Sequence, residues 1–449
     1  GWMDSTKYFG VNPASMQPGY DFAFGSQPNQ AWLTQKALQR LLTRDSLFNS
    51  QFVQNYSQRL TATATIQPFN DLKLDLTINK TFSMNNTELY ADTISMNNAN
   101  PNAPQFHVFN PYQTGTYSIS YMALNMMFNN ASGNSPIYNQ FLADGLVISK
   151  RLGLNNPYTN GVADPSDPRY MKGYTRFSQD VLIPSFLAAY TGYSPHSIAL
   201  IDYSHNTIQQ NPFQYFIPMP NWTLAYTGLA KLPFFAQYFT NITLKHSFTG
   251  TMNMNGFTSS LLYQDLFQLG YPSFIDSNSH NYVPYYTVPN VTITQAFNPL
   301  FSIDMAFKSK LTLKFEIRKS KTEALSLVDY QISENKSVEY IVGAGFRKKG
   351  VRLPFPILGV QKLQNELIFK MDVGFRDDKN SNTFLADNLN VVSRGQQVIT
   401  IGPTLDYSVT QKLTLHLFYN RQQSIPYVSN AYPTTTTKAG LTFRFIFAQ

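Results

Sequence analysis

The stretch KAGLTFRFIFAQ, residues 438–449, restricts the fold more than any other in the chain. In an extended strand successive side chains point to opposite faces. Leu441, Phe443, Phe445 and Phe447 therefore share one face, and Gly440, Thr442, Arg444 and Ile446 the other. Four large apolar groups in a row need a protein core over them if the strand lies in water. In lipid they need no cover.

The same period of two recurs. In LKLDLTIN (72–79), Leu72, Leu74, Leu76 and Ile78 oppose Lys73, Asp75, Thr77 and Asn79. In LTLKFEIR (311–318), Leu311, Leu313, Phe315 and Ile317 oppose Thr312, Lys314, Glu316 and Arg318. In LIFKMDVGF (367–375), Leu367, Phe369, Met371, Val373 and Phe375 oppose Ile368, Lys370, Asp372 and Gly374. LTLHLFY (413–419) sets Leu413, Leu415, Leu417 and Tyr419 against a face carrying His416. Such alternation reads as strands with one apolar and one wet face. A soluble β-sandwich alternates too, but three features point to an all-β transmembrane β-barrel. Many patterned segments reach ten residues or more, near the roughly 9–11 that cross a bilayer. The polar faces carry mixed charge, as a water-filled lumen would. The connections also alternate in length. FKSKL (307–311) and VTQKL (409–413) are short turns, and QPFNDLKL (67–74) is a looser relative. Asn85 to Thr114, Asp377 to Ser393 and Gln422 to Thr436 read as long polar loops. Short periplasmic turns and long outer loops are the pattern of bacterial outer-membrane barrels.

Counting from KSK, strands at 311–325, 337–347, 363–376, 395–409, 412–421 and 438–447 alternate in direction and put the C-terminus in the periplasm. The alternation makes Leu311, Leu313, Phe315, Leu413, Leu415 and Leu417 lipid-facing. It makes Lys314, Glu316, Arg318, Lys370, Asp372 and His416 lumen-facing. For any one of these charged residues a solvated, self-paired wall is a plainer role than a permeation site.

Upstream, 57–67, 71–83, 115–122, 220–229 and 241–254 read as strands, giving about 12–14 in the chain. Asn255-Gly256 suits either a tight hairpin turn or a bulge in one long strand. SPIYNQFLADGLVISKRLG (135–153) and SQDVLIPSFLAAYTG (178–192) have helical spacing, and Pro184 limits the second to a kinked or late-starting helix. The chain divides into an irregular segment at 1–56, barrel strands at 57–122, a small helical and loop insert at 123–219, and barrel strands at 220–449. The insert's apolar groups, around Phe141, Leu146, Leu182 and Leu187, need burial in the lumen, in a periplasmic cap or against a partner protein. Its Pro-broken backbone needs hydrogen-bond partners that lipid lacks.

Composition agrees. Charged residues are 13% of the chain, about half the roughly 25% of ordinary soluble domains. With no cysteine, disulfides and thiolate metal sites are excluded. A net charge of +8 comes without any Lys/Arg run of the kind that marks a nucleic-acid arm. No stretch is long and apolar enough for a transmembrane helix. The start GWMDSTKYFG lacks an initiator Met and signal-peptide regions, and predicts a processed product or a piece of a longer chain. No catalytic motif appears, so no enzyme activity, cofactor or metal is expected. His196 and His205 alone make a poor metal pair. Asp164 and Asp167 in ADPSDPRY suit Asp-Pro turn chemistry better than calcium.

Several stretches resemble the C-terminal part of the outer-membrane translocon of the bacterial type IX secretion system, the SprA/Sov family. They are PGYDFAFGSQPN (18–29), LTRDSLFNSQF (42–52), LTATATIQPFNDLKLDLTINKT (60–81), SQDVLIPSFLAAYTG (178–192) and PNWTLAYTGLAKLPFFAQYF (220–239). The terminal Lys438, Gly440, Phe443 and Phe445, followed by Phe447, resemble the C-terminal β-signal read by the barrel-assembly machinery. The resemblance implies the C-terminal portion of a very large antiparallel barrel that exports folded proteins. Implied partners are outer-membrane lipid, a shuttle-type barrel protein, a plug protein, the barrel-assembly machinery, secreted cargo and the rest of the barrel wall. Family members are several times longer than this chain. The alternative is a self-contained outer-membrane barrel of about 12–14 strands carrying small solutes.

Overall fold

The computed structural model describes residues 30–43, 49–92, 106–131, 133, 135–201, 211–213, 216–357, 360–410, 412–429 and 431–445. Thirteen strands make one sheet whose pairings are all antiparallel. In pairing order the path is β1 (Phe52–Phe69), β2 (Leu72–Asp92), β3 (Phe106–Ser120), β5 (Phe239–Ser259), β7 (Asn290–Phe307), β8 (Leu311–Ser326), β9 (Gln331–Ile357), β10 (Val360–Phe384), β11 (Asn390–Ser408), β12 (Leu413–Pro426) and β13 (Thr434–Phe445). β4 (Asn221–Tyr226) and the two-residue β6 (Tyr286–Thr287) lie off this path. Among the described residues β1 and β13 do not pair with each other.

We call the end of the sheet with the short turns its lower end. β3 pairs the upper part of β2, from Ile119 opposite Lys80 to Phe106 opposite Asp92. β4 pairs the lower part, from Tyr226 opposite Leu72 to Asn221 opposite Thr77. β5 runs beside both. β3 and β4 are thus the two halves of one wall position, split at mid-height by the insert. The side chain of Asn221 seals the break by accepting from Gly250 N at 2.8 Å. Tyr121 N donates to Gly250 O at 3.0 Å on the other side of the gap.

Three expectations need correction. The segments Asn85 to Thr114 and Asp377 to Ser393 are not simply loops, because β2, β3, β10 and β11 run through much of them. Their strands rise past the level where one face is apolar, so alternation no longer marks them. β10, at 25 residues, extends about 80 Å, far beyond a hydrocarbon core of about 30 Å. Pro184 does not delay its helix, which is continuous from Gln179 to Thr191 with the proline inside it. The insert's position also departs from expectation. Asn255-Gly256 is a bulge within β5, with Gly256 at φ +70° and a register shift against β3.

The insert contributes α2 (Leu124–Phe128), α3 (Pro136–Asn155) and α4 (Gln179–Thr191), following α1 (Gln30–Leu38) in chain order. α3 begins with Ser135 as its cap, whose Oγ accepts from Tyr138 N at 3.1 Å, and with Pro136 in the first turn, where no amide is needed. α4 ends at Gly192, whose φ of +81° favours glycine. α4 is buried nearly all round, which explains its tolerance of Pro184: packing supplies what the lost backbone bond does not. Phe141, Phe186 and Tyr190 from α3 and α4 pack with Met84, Tyr117, Met252, Ile293, Leu325 and Ile332 of the sheet. Burying one such side chain as fully as Phe186 stabilises by roughly 1.5–3 kcal/mol.

Candidate functional site

Registers fix which residues share a face. β8 and β9 pair without a shift from Leu311 opposite Phe346 to Ser326 opposite Gln331. Leu311, Leu313, Phe315 and Ile317 therefore lie on one face with Phe346, Ala344, Val342 and Tyr340, and with Phe369, Met371, Val373 and Phe375 of β10. β12 and β13 continue the face with Leu413, Leu415, Leu417, Phe445, Phe443 and Leu441. On the far side β2 adds Leu72, Leu74 and Leu76 beside Tyr226, Leu224 and Trp222. The result is an apolar belt. Much of it stands uncovered among the described residues: Phe443 is 64% exposed, Val342 53% and Leu441 50%. Leu311 to Ile317 spans about 20 Å along the strand, close to the roughly 25 Å lipid band of a membrane barrel. The sheet is the wall of a transmembrane β-barrel, and the belt is its lipid face.

The opposite face is polar, and it places Lys314, Glu316, Arg318, Lys370, Asp372 and His416 together on one side, as the alternation required. Its charges are largely paired. Glu316 accepts from Lys314 Nζ at 2.8 Å and from Arg318, and Arg318 also reaches Glu339 at 3.2 Å. Lys245 lies 3.3 Å from Asp304, Lys73 2.8 Å from Asp75, and Arg376 2.8 Å from Asp378. His416 Nδ1 is 2.6 Å from Asp406 Oδ1. Much of the charge on this face is thus neutralised in pairs, while Lys370 and Asp372 make no ion pair among the described residues.

The insert does not lie on this polar face. Along β8 the residues on the belt side continue upward as Lys319, Lys321, Glu323 and Leu325, and the last of these packs against the helices. In β2 the belt side likewise continues to Phe82 and Met84, both in the same core. The insert therefore docks on the belt face, directly above the belt. Lumen, periplasmic cap and partner protein, the places expected for it, are replaced by the upper outer surface of its own wall. Beneath it lies a buried charged cluster. Lys321 Nζ stands 2.7 Å from Glu334, 3.4 Å from Glu323 and 3.0 Å from the carbonyl of Asn129. Glu323 and Glu334 face each other across β8 and β9.

Of the terminal signal, Phe443 and Phe445 lie on the belt and Lys438 and Gly440 on the polar side, while Phe447 is outside the described residues. His205 is also outside them. Asp164 is consumed by its turn, accepting from Ser166 N at 2.9 Å and Asp167 N at 3.2 Å. Burial works to raise its carboxyl, and these bonds outweigh burial and hold it below the usual range. Asp167 grips Arg169 at 2.9 and 2.8 Å. Sequence reasoning missed the charged cluster and the split strand. The switch in β8 from Leu, Phe and Ile to Lys-x-Lys-x-Glu on one face was the available signal. Which residues it meets depends on register.

No family model and no curated protein matches the chain. Among solved structures it is similar to OmpT, in-vitro folded, an outer membrane protein of Vibrio cholerae in trimer form. The identity is 6%, with 88% of this chain and 99% of that chain covered, at a TM-score of 0.20. The fold given above stands on the register and the belt.

Proposed function

We propose that the chain forms part of the wall of a protein-conducting barrel in the bacterial outer membrane, with its short turns and C-terminus on the periplasmic side. One observation carries this reading: the belt runs to the last strands on both sides, yet β1 and β13 do not meet among the described residues. A strand edge cannot face hydrocarbon with its amides unpaired. The wall is therefore completed by further strands, which makes the barrel wider than this sheet alone. A self-contained solute barrel would need a β1–β13 seam. The paired polar face suits a wide conduit that must not bind its cargo tightly, as the resemblance to the type IX translocon implies. On this reading the partners are folded cargo, a shuttle-type barrel, a plug protein and the barrel-assembly machinery.

The test is site-specific photo-crosslinking in cells. A crosslinker at Lys370, on the polar face, should capture secreted protein, and one at Met371, on the belt, should capture lipid or neighbouring membrane protein. Cargo captured from Met371 but not from Lys370 would reverse the assignment of faces and sink the proposal.

A further inference from the structure

Three lysines stand side by side on the belt face, one row of residues below the buried glutamates. Lys321 of β8 is opposite Lys336 of β9, and Lys336 is opposite Lys379 of β10. Directly opposed residues have Cβ atoms about 4.5–5.5 Å apart, and like charges so placed repel. Lys321 is relieved by Glu323 and Glu334. Lys336 is 3.6 Å from Glu334, a carboxylate that Lys321 already holds at 2.7 Å, and its side chain is 43% exposed. Lys379 makes no ion pair among the described residues. Lys319, one row lower on the same face, lies 4.7 Å from the centre of the Phe128 ring. Asp377, one row lower on the belt side of β10, accepts from Tyr427 Oη at 2.7 Å.

The height of this row matters as much as its charge. Tyr340 and Phe375, opposite each other, close the top of the belt two rows below. Above the row, Gly133 N donates to Thr383 Oγ1 at 3.1 Å where the insert rests on β10. Lys336 and Lys379 thus sit in a notch between the belt and the underside of the insert. That is the level at which lipid phosphates stand when acyl chains lie along the belt. We propose that Lys336 and Lys379, flanked by Lys319, bind the phosphate of a membrane-lipid headgroup on the outer surface of the wall. The phosphate oxygens accept from both ammonium groups and remove their repulsion, and the acyl chains run down over Tyr340 and Phe375. The insert then rests on lipid as well as on protein. This site rests on the reading of the belt as lipid-facing.

The experiment follows thermal unfolding of the whole chain in neutral detergent micelles, titrated with bis-phosphorylated lipid A, with the same lipid stripped of its phosphates, and with inorganic phosphate. The phosphorylated lipid should raise the Tm. Lys336→Gln with Lys379→Gln should need about ten-fold more lipid or greater for the same rise, since two charge-assisted bonds are lost. Lys336→Arg with Lys379→Arg, which keeps both charges, should respond as the parent does. Equal responses of the parent and the Gln variant, or of the phosphorylated and stripped lipids, overturn the site while leaving the belt intact. A rise produced equally by inorganic phosphate overturns the lipid assignment in favour of a free anion. A chain that does not enter micelles overturns the belt and the site together.

Discussion

The ring of Phe418 on β12 lies in the space that a side chain at Gly440 on β13 would occupy. The two residues are directly opposite on the polar face. A Cβ added at Gly440 would stand 2.6 Å from Phe418 Cε1 and 2.7 Å from Cζ. Aromatic cover of a strand glycine pins register, here at the strand that carries the terminal signal. Gly440→Val should destabilise the wall by about 1–3 kcal/mol through overpacking, read as a lower unfolding temperature in outer-membrane extracts. Adding Phe418→Ala should recover much of that loss. If the double variant stays as poor as Gly440→Val, glycine is required by the assembly signal and not by packing.

Leu313 and Thr312 are neighbours in sequence and lie on opposite faces of β8. Leu313 sits on the belt, opposite Ala344 and Met305. Thr312 is exposed on the polar face, and its Oγ1 donates to Gly345 O at 3.2 Å. Leu313→Arg should cost about 2–4 kcal/mol at mid-bilayer depth, and Thr312→Arg far less. Heat resistance in membrane extracts measures both. Equal loss in the two variants would contradict the lipid side assigned to the belt.

The belt was legible in the sequence because hydrocarbon on one side and water on the other impose a period of two, as Leu311 to Ile317 and Leu413 to Tyr419 display. Above the belt that contrast ends. The stretch from Arg376 to Phe384 meets water or the insert on either face and loses its pattern, although it is still strand. The split position at Ser120 and Asn221 joins residues a hundred positions apart, and no local signal announces such a pairing. Pro184 obeys a local rule about isolated helices that burial on all sides overrides. The lysine row is a property of register between three strands, so it exists only once Lys321, Lys336 and Lys379 are placed side by side.

Gln295 fastens the point where the insert leaves the wall. Its side chain is fully buried; Oε1 accepts from Ala123 N at 2.9 Å and Nε2 donates to Tyr121 O at 3.0 Å. Gln295→Leu keeps the bulk and leaves those two backbone groups without partners, each worth about 1–3 kcal/mol when buried. The insert should open more often, and limited proteolysis should cut within residues 121–220 at a protease level that spares the parent. The strands should keep their heat resistance. Unchanged cleavage would mean that packing alone holds the insert.

Glu323 and Glu334 form a carboxyl pair that the insert closes off from water, and the docking of the insert should therefore depend on pH. Around them stand Lys321 and Lys336 from β8 and β9 and Tyr190 from α4. Burial first, then repulsion from Glu334, holds the Glu323 carboxyl well above the usual range, against the pull of Lys321. At Glu334 burial also acts upward, but attraction and hydrogen bonding from Lys321 outweigh it and hold that carboxyl below its ordinary value. The native pair thus keeps a proton on Glu323 that the unfolded chain releases near pH 4.5. A group that binds its proton more tightly when folded stabilises most below its unfolded value, and that stability is lost as pH rises through the folded value. Glu334 acts in the opposite sense, with its contribution lost as pH falls below its ordinary range. From about pH 5 upward, stability of the docked insert should fall by at most about 1.4 kcal/mol per pH unit. Glu323→Gln supplies a permanently neutral donor toward Glu334. It should leave the insert at least as protease-resistant as the parent at neutral pH, and flatten the profile above pH 5. A Gln variant with the parent's slope would place the titrating group elsewhere.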